Sequence, residues 1–234
     1  MRLRRRVATD EELDYVFVMT YGRSGSTLLM GLLNSIPGYL IRGENRHALR
    51  HLYEFHRSGL VEQARVNPRN AQASTHPWFG IHGFDEDASL RDIRRLVLDT
   101  LLRPEPGTRV TGFKEIRWYD QDLEKYVDFV RQVFPGARFV VNTRNLPDVA
   151  ASAFWRHKDD PLGRLEVIEE RMLRVADQLG DTAYRVHYDD YRDDPGALRG
   201  LFAWLGERFD EERIARTLAV PHSIKARTTG SLPA

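Results

Sequence analysis

The 234-residue chain contains no cysteine. Disulfides, thiolate metal sites and cysteine nucleophiles are therefore excluded. No apolar run approaches the length of a membrane span. The start, Met1-Arg2-Leu3-Arg4-Arg5-Arg6, is basic but lacks the apolar run that a signal peptide carries behind such a start. The expected address is the cytoplasm. An excess of one charge is lacking too: 35 basic residues face 34 acidic ones, for a net charge of +1. Bulk electrostatics therefore do not point to nucleic acid. Internal repeats and low-complexity stretches are absent. Convergent acids and histidines are too few to argue for a metal. What remains, at 41% hydrophobic and 29% charged residues, is the composition of a globular protein large enough for a sizeable core. The expectation is one domain over residues 1–234, with an N-terminal extension at 1–13 and a tail at 220–234.

Strand-like apolar runs alternate with helical patterns. Strands are expected at 16–20, 39–42, 109–113, 138–143 and 183–187. Helices are expected at 26–35, 45–58, 89–102, 120–134, 146–157, 162–179, 195–205 and 211–218, with Ser89 as the N-cap of the third and Asp92 in its first turn. Pro37-Gly38 and Pro135-Gly136 stop two of them. Residues 62–88 show no clear period and read as a long loop, which in a compact domain is usually functional. Alternating β and α with apolar strands means an α/β fold, a parallel sheet covered by helices on both faces. Ligands of such sheets bind at the carboxyl ends of the strands.

Two constellations sit there. The first follows strand 16–20: Tyr21-Gly22-Arg23-Ser24-Gly25-Ser26-Thr27, opening an apolar helix. Backbone N–H groups of such a turn converge, and the helix dipole adds positive potential. The hydroxyls of Ser24, Ser26 and Thr27 and the charge of Arg23 suit a phosphate or sulfate. The nucleoside triphosphate P-loop needs G-x-x-x-x-G-K-[ST]. Aligned on Gly25-Ser26-Thr27, Ser26 stands where the lysine belongs and Thr20 where the first glycine belongs. The loop lacks the lysine that reaches a γ-phosphate and reads as built for a shorter phosphate chain. The second constellation is Arg144 at the end of strand 138–143, with Ser152 eight residues later on the next helix. An arginine fork matches phosphate oxygens, and a serine hydroxyl can donate to the same group. The alternative is that Arg144 merely pairs with Asp148 and Ser152 is a small packing residue.

Together the two resemble the motifs of sulfotransferases that use 3′-phosphoadenosine 5′-phosphosulfate (PAPS). Carbohydrate-type members commonly write the first motif Arg-Ser-Gly-Ser-[Ser/Thr], as Arg23–Thr27 does; cytosolic members have lysine in place of Arg23. The resemblance implies a P-loop-like sulfotransferase fold. It implies a 5′-phosphosulfate cradle at Gly22, Arg23, Ser24, Gly25, Ser26 and Thr27, and a 3′-phosphate held by Arg144 and Ser152. The segment His187-Tyr188-Asp189-Asp190-Tyr191 is similar to the family's Tyr-Glu-Asp-Leu segment, which implies Tyr188 near the adenine. The alternative is an ordinary aromatic at a strand end. Asn142 departs from the family, which often has an apolar residue there.

Cytosolic members end another strand with Lys-Thr-His, the lysine touching the transferring group and the histidine acting as base. Here the triplet is Lys114-Glu115-Ile116. Lys114 fits; Ile116 cannot take a proton. Either the base comes from elsewhere or activity is lost. In carbohydrate-type members a glutamate soon after the first helix often serves, which implies Glu44. Glu115, His47 and His51 are the alternatives. The resemblance thus implies sulfuryl transfer from PAPS, leaving 3′,5′-ADP and needing no metal. It also implies Glu44, Lys114 and Arg23 as catalytic residues, and a glycan or small secondary metabolite as acceptor. Aromatics of the 62–88 loop (Trp78, Phe79, Phe84) with His82 would line the acceptor side, and Tyr53, Phe55 and Trp118 are further candidates. Lys225 or Arg227 of the tail corresponds to the family's basic segment over the 3′-phosphate, or the tail has no such role. Two rival readings stay open: a nucleotide-binding module without catalysis, and a P-loop small-molecule kinase.

Overall fold

The computed structural model describes residues 13–69, 71–152 and 154–220. The expected extension and tail, with Lys225 and Arg227, lie outside them, Leu13 and Val220 excepted. Five strands form one parallel sheet: β1 (Asp14–Met19), β2 (Tyr39–Arg42), β3 (Val110–Glu115), β4 (Arg138–Thr143) and β5 (Ala183–His187), in the order β2-β3-β1-β4-β5. From β1 the chain goes to the far edge for β2, returns to insert β3 between them, then crosses to the other side for β4 and β5. β1 therefore sits at the reversal point, where a crevice opens at the carboxyl end. Register fixes what meets there. Val18 lies opposite both Lys114 of β3 and Val140 of β4. The turn after β1, the end of β3 and the start of the β4 exit thus share one edge.

The strand period of two separates two cores. Tyr15, Phe17 and Met19 face one side, with α2 (Ala48–Arg65), α3 (Glu86–Val97), α4 (Leu123–Val133) and α6 (Pro161–Leu179). Val16 and Val18 face the other, with α1 (Ser26–Asn34) and the last two helices, α8 (Arg199–Leu205) and α9 (Glu211–Leu218). The Phe17 ring lies 4.8 Å from Phe113, 5.4 Å from Phe134 and 5.8 Å from Phe139, centroid to centroid. Each such fully buried side chain stabilises the fold by about 1.5–3 kcal/mol. α4 supplies Leu123, Tyr126, Val127, Val130 and Val133, a helical stripe that is wholly buried. Gly112 lets β3 approach β1: a Cβ there would sit 1.8 Å from the Val16 carbonyl oxygen.

Several expected boundaries move. The helix expected at 45–58 starts at Ala48, because Arg46 and His47 take left-handed backbone, and runs on to Arg65. Gly59 suggests a break, but it is a packing position: a Cβ there would meet the Phe84 ring at 2.4 Å. The 62–88 segment is consequently not one long loop. It holds the end of α2, a run of turns, a 3-10 turn at Ile81–Gly83 and the start of α3. The N-cap of α3 is Asp85, which accepts from the Ala88 N–H at 2.8 Å. Ser89 instead bonds His56 Nδ1 at 3.0 Å. The helix expected at 146–157 stops early as α5 (Leu146–Ala150), so Ser152 lies just past its end and not on it, and residues 154–157 are turns. A short helix, α7 (Tyr188–Asp193), follows β5 where none was expected. Trp118 is fully buried and Tyr53 nearly so, so both are core residues rather than walls of an open site.

Candidate active site

The turn after β1 is held from outside by its carbonyls. Trp155 Nε1 donates to the Gly22 carbonyl at 2.9 Å, Arg144 Nη1 to that of Arg23 at 3.1 Å, and Asn142 Nδ2 to that of Ser24 at 2.9 Å. Three consecutive carbonyls are thereby claimed. Gly25, at φ +78°, is the N-cap of α1. Helix N-termini leave their first N–H groups without intrahelical partners, and negative charge is favoured there. The turn therefore has the make-up of an anion cradle. Ser26 opens the helix, Thr27 is exposed on it, and the Arg23 side chain is exposed. Ser24 differs from expectation. Its hydroxyl is fully buried and bonds Thr20 Oγ1 at 2.6 Å, so Ser24 offers a ligand its backbone and not its side chain.

The β4 exit delivers Arg144 beside this turn. No Arg144–Asp148 ion pair exists among the described residues. The guanidinium instead stacks on Tyr188, 4.8 Å from its ring centroid. Tyr188 in turn covers Gly25: a Cβ at Gly25 would fall 2.0 Å from its ring. Arg144, Tyr188 and the cradle are thus one contiguous group. Arg144 Nε and the Ser152 hydroxyl are both buried and have no hydrogen-bond partner. Burying a polar group without a partner costs about 1–3 kcal/mol, so an unpartnered Arg144 Nε beside the cradle points to a polar ligand.

At the end of β3, Lys114 is 4% exposed and its ammonium donates to Glu44 Oε1 at 2.5 Å. The two residues named from the resemblance are therefore in contact. Glu115, next to Lys114, points to the opposite face. It is 1% exposed and accepts from the backbone N–H groups of Asn45, His47 and Ile116 and from Arg117 Nη1. Burial alone would raise its pKa, but these donors outweigh it and hold the carboxyl below the ordinary value. A carboxylate so occupied anchors the start of α2 and is a poor base. His47 lies between Trp118, Tyr119 and Tyr126. Burial lowers its pKa against the pull of Asp120 and Glu115. His51 is exposed on α2.

A cleft of about 640 Å³ adjoins the cradle at Gly22 and the end of β3 at Ile116. Its far wall is the turn at Phe154–Lys158 and the first half of α6. No described residue of 62–88 lines it. Trp78 and Phe79 are exposed, and Phe84 packs on Gly59.

The sequence profile of the sulfotransferase family matches residues 15–211. This chain belongs to the sulfotransferase family. No curated protein matches it. Among solved structures it resembles the sulfotransferase domain of the Synechococcus PCC 7002 olefin synthase, with 20% identity, 95% of this chain and 82% of that one covered, and a TM-score of 0.55. The sulfotransferase domain from the curacin biosynthetic pathway gives 16% identity, 90% and 79% coverage and 0.56. A sulfotransferase from Mycobacterium avium gives 15%, 88% and 67%, and 0.51. At these identities the likeness speaks for the fold, the single α/β domain of sulfotransferases.

In this sulfotransferase the departure at Asn142 has a structural reason. Asn142 is fully buried, donates to the Ser24 carbonyl, and accepts from the Tyr191 hydroxyl at 2.8 Å. Its own carbonyl takes the Thr20 hydroxyl at 2.8 Å. A polar residue in a buried strand was the available signal. Nothing in sequence spacing marked Trp155 or Tyr21. The Tyr21 hydroxyl receives the Arg144 N–H at 2.8 Å and donates to Glu169 at 2.6 Å.

Two outcomes are expected. Asn142→Leu strands the Ser24 carbonyl and the Tyr191 hydroxyl, so urea denaturation should show a loss of at least about 2 kcal/mol. Unchanged stability would show that the tether is dispensable. Glu115→Gln should cost about 3 kcal/mol at neutral pH. The native carboxyl has a folded pKa below its unfolded one, so its contribution is full above the unfolded value and is lost as pH falls through the folded value. The gap between the two proteins should therefore be widest above pH 6 and close in acid, as measured by melts across pH.

Proposed function

We propose that this sulfotransferase moves a sulfuryl group from PAPS to a hydroxyl or amine of a glycan or small secondary-metabolite acceptor. The observation that carries the donor is the buried, unpartnered Arg144 Nε beside Tyr188 and the cradle, with the Ser152 hydroxyl also buried and unpartnered. A 3′-phosphate held by Arg144 and Ser152 completes both. Tyr188 offers a face for the adenine. The backbone at 22–27, with the Ser26 and Thr27 hydroxyls, holds the 5′-phosphosulfate. PAPS supplies an activated sulfuryl group and leaves as 3′,5′-ADP.

The protein's tasks are positioning and charge stabilisation. Arg23, Lys114 and the cradle N–H groups neutralise charge that grows on the phosphate oxygen as its bond to sulfur breaks. Glu44 takes the proton from the acceptor oxygen as that oxygen bonds sulfur. Lys114 engages Oε1 of Glu44, which leaves Oε2 for the proton. The same contact couples the base to the cation and argues against a purely binding module. Fixed cations do the neutralising, so no metal has a part in this reading. A kinase reading would need the P-loop lysine that Ser26 replaces.

Arg144→Ala should weaken 3′,5′-ADP binding by about 2–4 kcal/mol in titration calorimetry, because a dianion loses a bidentate cation. Ser152→Ala should cost about 1 kcal/mol. Unchanged affinity in Arg144→Ala would sink the donor assignment.

Glu44→Gln keeps an oxygen for Lys114 but cannot accept a proton. Turnover of labelled PAPS with a competent acceptor, found from a panel, should fall by about 10²–10⁴, while 3′,5′-ADP affinity stays within a few-fold. Wild-type turnover in this variant would remove Glu44 as the base.

A further inference from the structure

The cleft beside Gly22 and Ile116 carries a charge pattern that the donor reading does not use. Arg144, Ser152, Tyr188, Lys114 and Glu44 are not among its lining residues. Ile116, Phe154, Val167 and Ile168 supply apolar surface. The Phe154 ring closes one side directly over the cradle: a Cβ at Gly22 would lie 3.2 Å from it. Around this surface stand Lys158, Arg164, Arg171 and Arg117, against a single lining carboxylate, Asp160. Asp160 caps α6 through the Gly163 N–H at 3.1 Å. Arg117 is matched by Glu115. The other three cations have no carboxylate within ion-pair distance among the described residues. Arg171 donates to the carbonyls of Tyr119 and Asp120, which orients its guanidinium without cancelling its charge. Lys158 lies 5.5 Å from the Phe154 centroid and 5.9 Å from that of Trp155. A low-dielectric wall beside uncompensated cations focuses potential into the cleft.

Resting on the proposed sulfuryl transfer, we infer that the acceptor is an organic anion: a flat or aliphatic body laid on Ile116, Phe154 and Val167, with a carboxylate-like group toward Lys158, Arg164 and Arg171. The acceptor hydroxyl then points inward, past Ile116, to the cradle. A neutral sugar would leave the three cations unmatched and the apolar wall uncovered.

The test is fluorescence titration with two probes of nearly the same shape, 8-anilinonaphthalene-1-sulfonate and its neutral parent N-phenyl-1-naphthylamine, with saturating 3′,5′-ADP present to block the donor site. The sulfonate should bind at least about tenfold tighter than the neutral probe, with the gap narrowing in high salt. The double variant Lys158→Gln/Arg164→Gln should lose about tenfold in sulfonate affinity and leave the neutral probe and 3′,5′-ADP unaffected. Val167→Asp, an exposed position, should suppress sulfonate binding and so place the probe in the cleft. Equal binding of the two probes, or sulfonate binding indifferent to these substitutions, overturns the inference. Failure of 3′,5′-ADP to bind the parent protein overturns the donor assignment instead; the probe titration run without nucleotide still reads the cleft.

Discussion

The site depends on one constraint: a turn that gathers N–H groups inward must turn carbonyls outward, and those carbonyls need donors. Here they find three, on Asn142, Arg144 and Trp155, all from β4 or the segment that follows it. The loop after β1 is therefore rigid because β4 lies next to β1, and β4 lies there because Phe17, Phe139, Val18 and Val140 fill both cores. Hydrophobic packing sets the strand order, the strand order sets the donors, and the donors set the cradle. The same tether joins the two halves of the proposed donor site. Arg144 uses one nitrogen to hold the Arg23 carbonyl and keeps another unpartnered, so a ligand on the arginine also bears on the cradle.

Tyr21 reinforces that joint. Its hydroxyl ties the exit of β1 to the backbone of Arg144 and to Glu169 on α6. Burial first, then Glu169, pushes the phenol pKa up, so it stays a donor throughout the working range. The helix that walls the cleft is in this way linked to the residue that bounds the donor site. Movement of α6 away from the sheet would break a short, part-buried hydrogen bond to the Arg144 anchor. Such networks are stronger when fully satisfied and costly when half-satisfied, which favours one fixed spacing between cleft and cradle.

The strands and the turn after β1 are legible because apolar runs and glycine turns are local signals. The long-range partners are not. Gly59 shows how a local rule misleads: a glycine within a helical pattern suggests an end, but here it makes room for Phe84, which lies 25 positions on. Asn142 shows the opposite. It looked like a blemish in a buried strand and is the hub of three hydrogen bonds. Strand alternation separates Glu115 from Lys114. Lys114 and Glu115 are consecutive in one strand, so their side chains leave opposite faces. Whatever faces Lys114 cannot be Glu115, and the exposed neighbour at the end of β2 is Glu44. The unanticipated α7 has the same origin: its six residues include three aspartates, and it forms because it aims Tyr191 at Asn142 and sets Tyr188 over Gly25.

Ile116 then takes on a second meaning. In the cytosolic pattern this strand-end position carries the base, which would place the proton acceptor on the cleft side of the sulfuryl group. Here the position is an apolar part of the cleft wall, and the carboxylate stands on the other side of Lys114. Under the proposed reaction the acceptor is gripped from one side and deprotonated from the other. The proposal thus divides recognition and proton transfer between elements: Ile116, Phe154 and α6 for the body of the acceptor, the β2 exit for its proton. A second carboxylate inside the cleft, beyond the helix-capping Asp160, would have compromised that division. It would have cancelled the charge of Lys158 and Arg164, and it would have sat as a like charge against an anionic acceptor. In the proposed reaction, keeping Glu44 outside lets the cleft hold a net positive potential, with the ammonium of Lys114 serving the reacting centre.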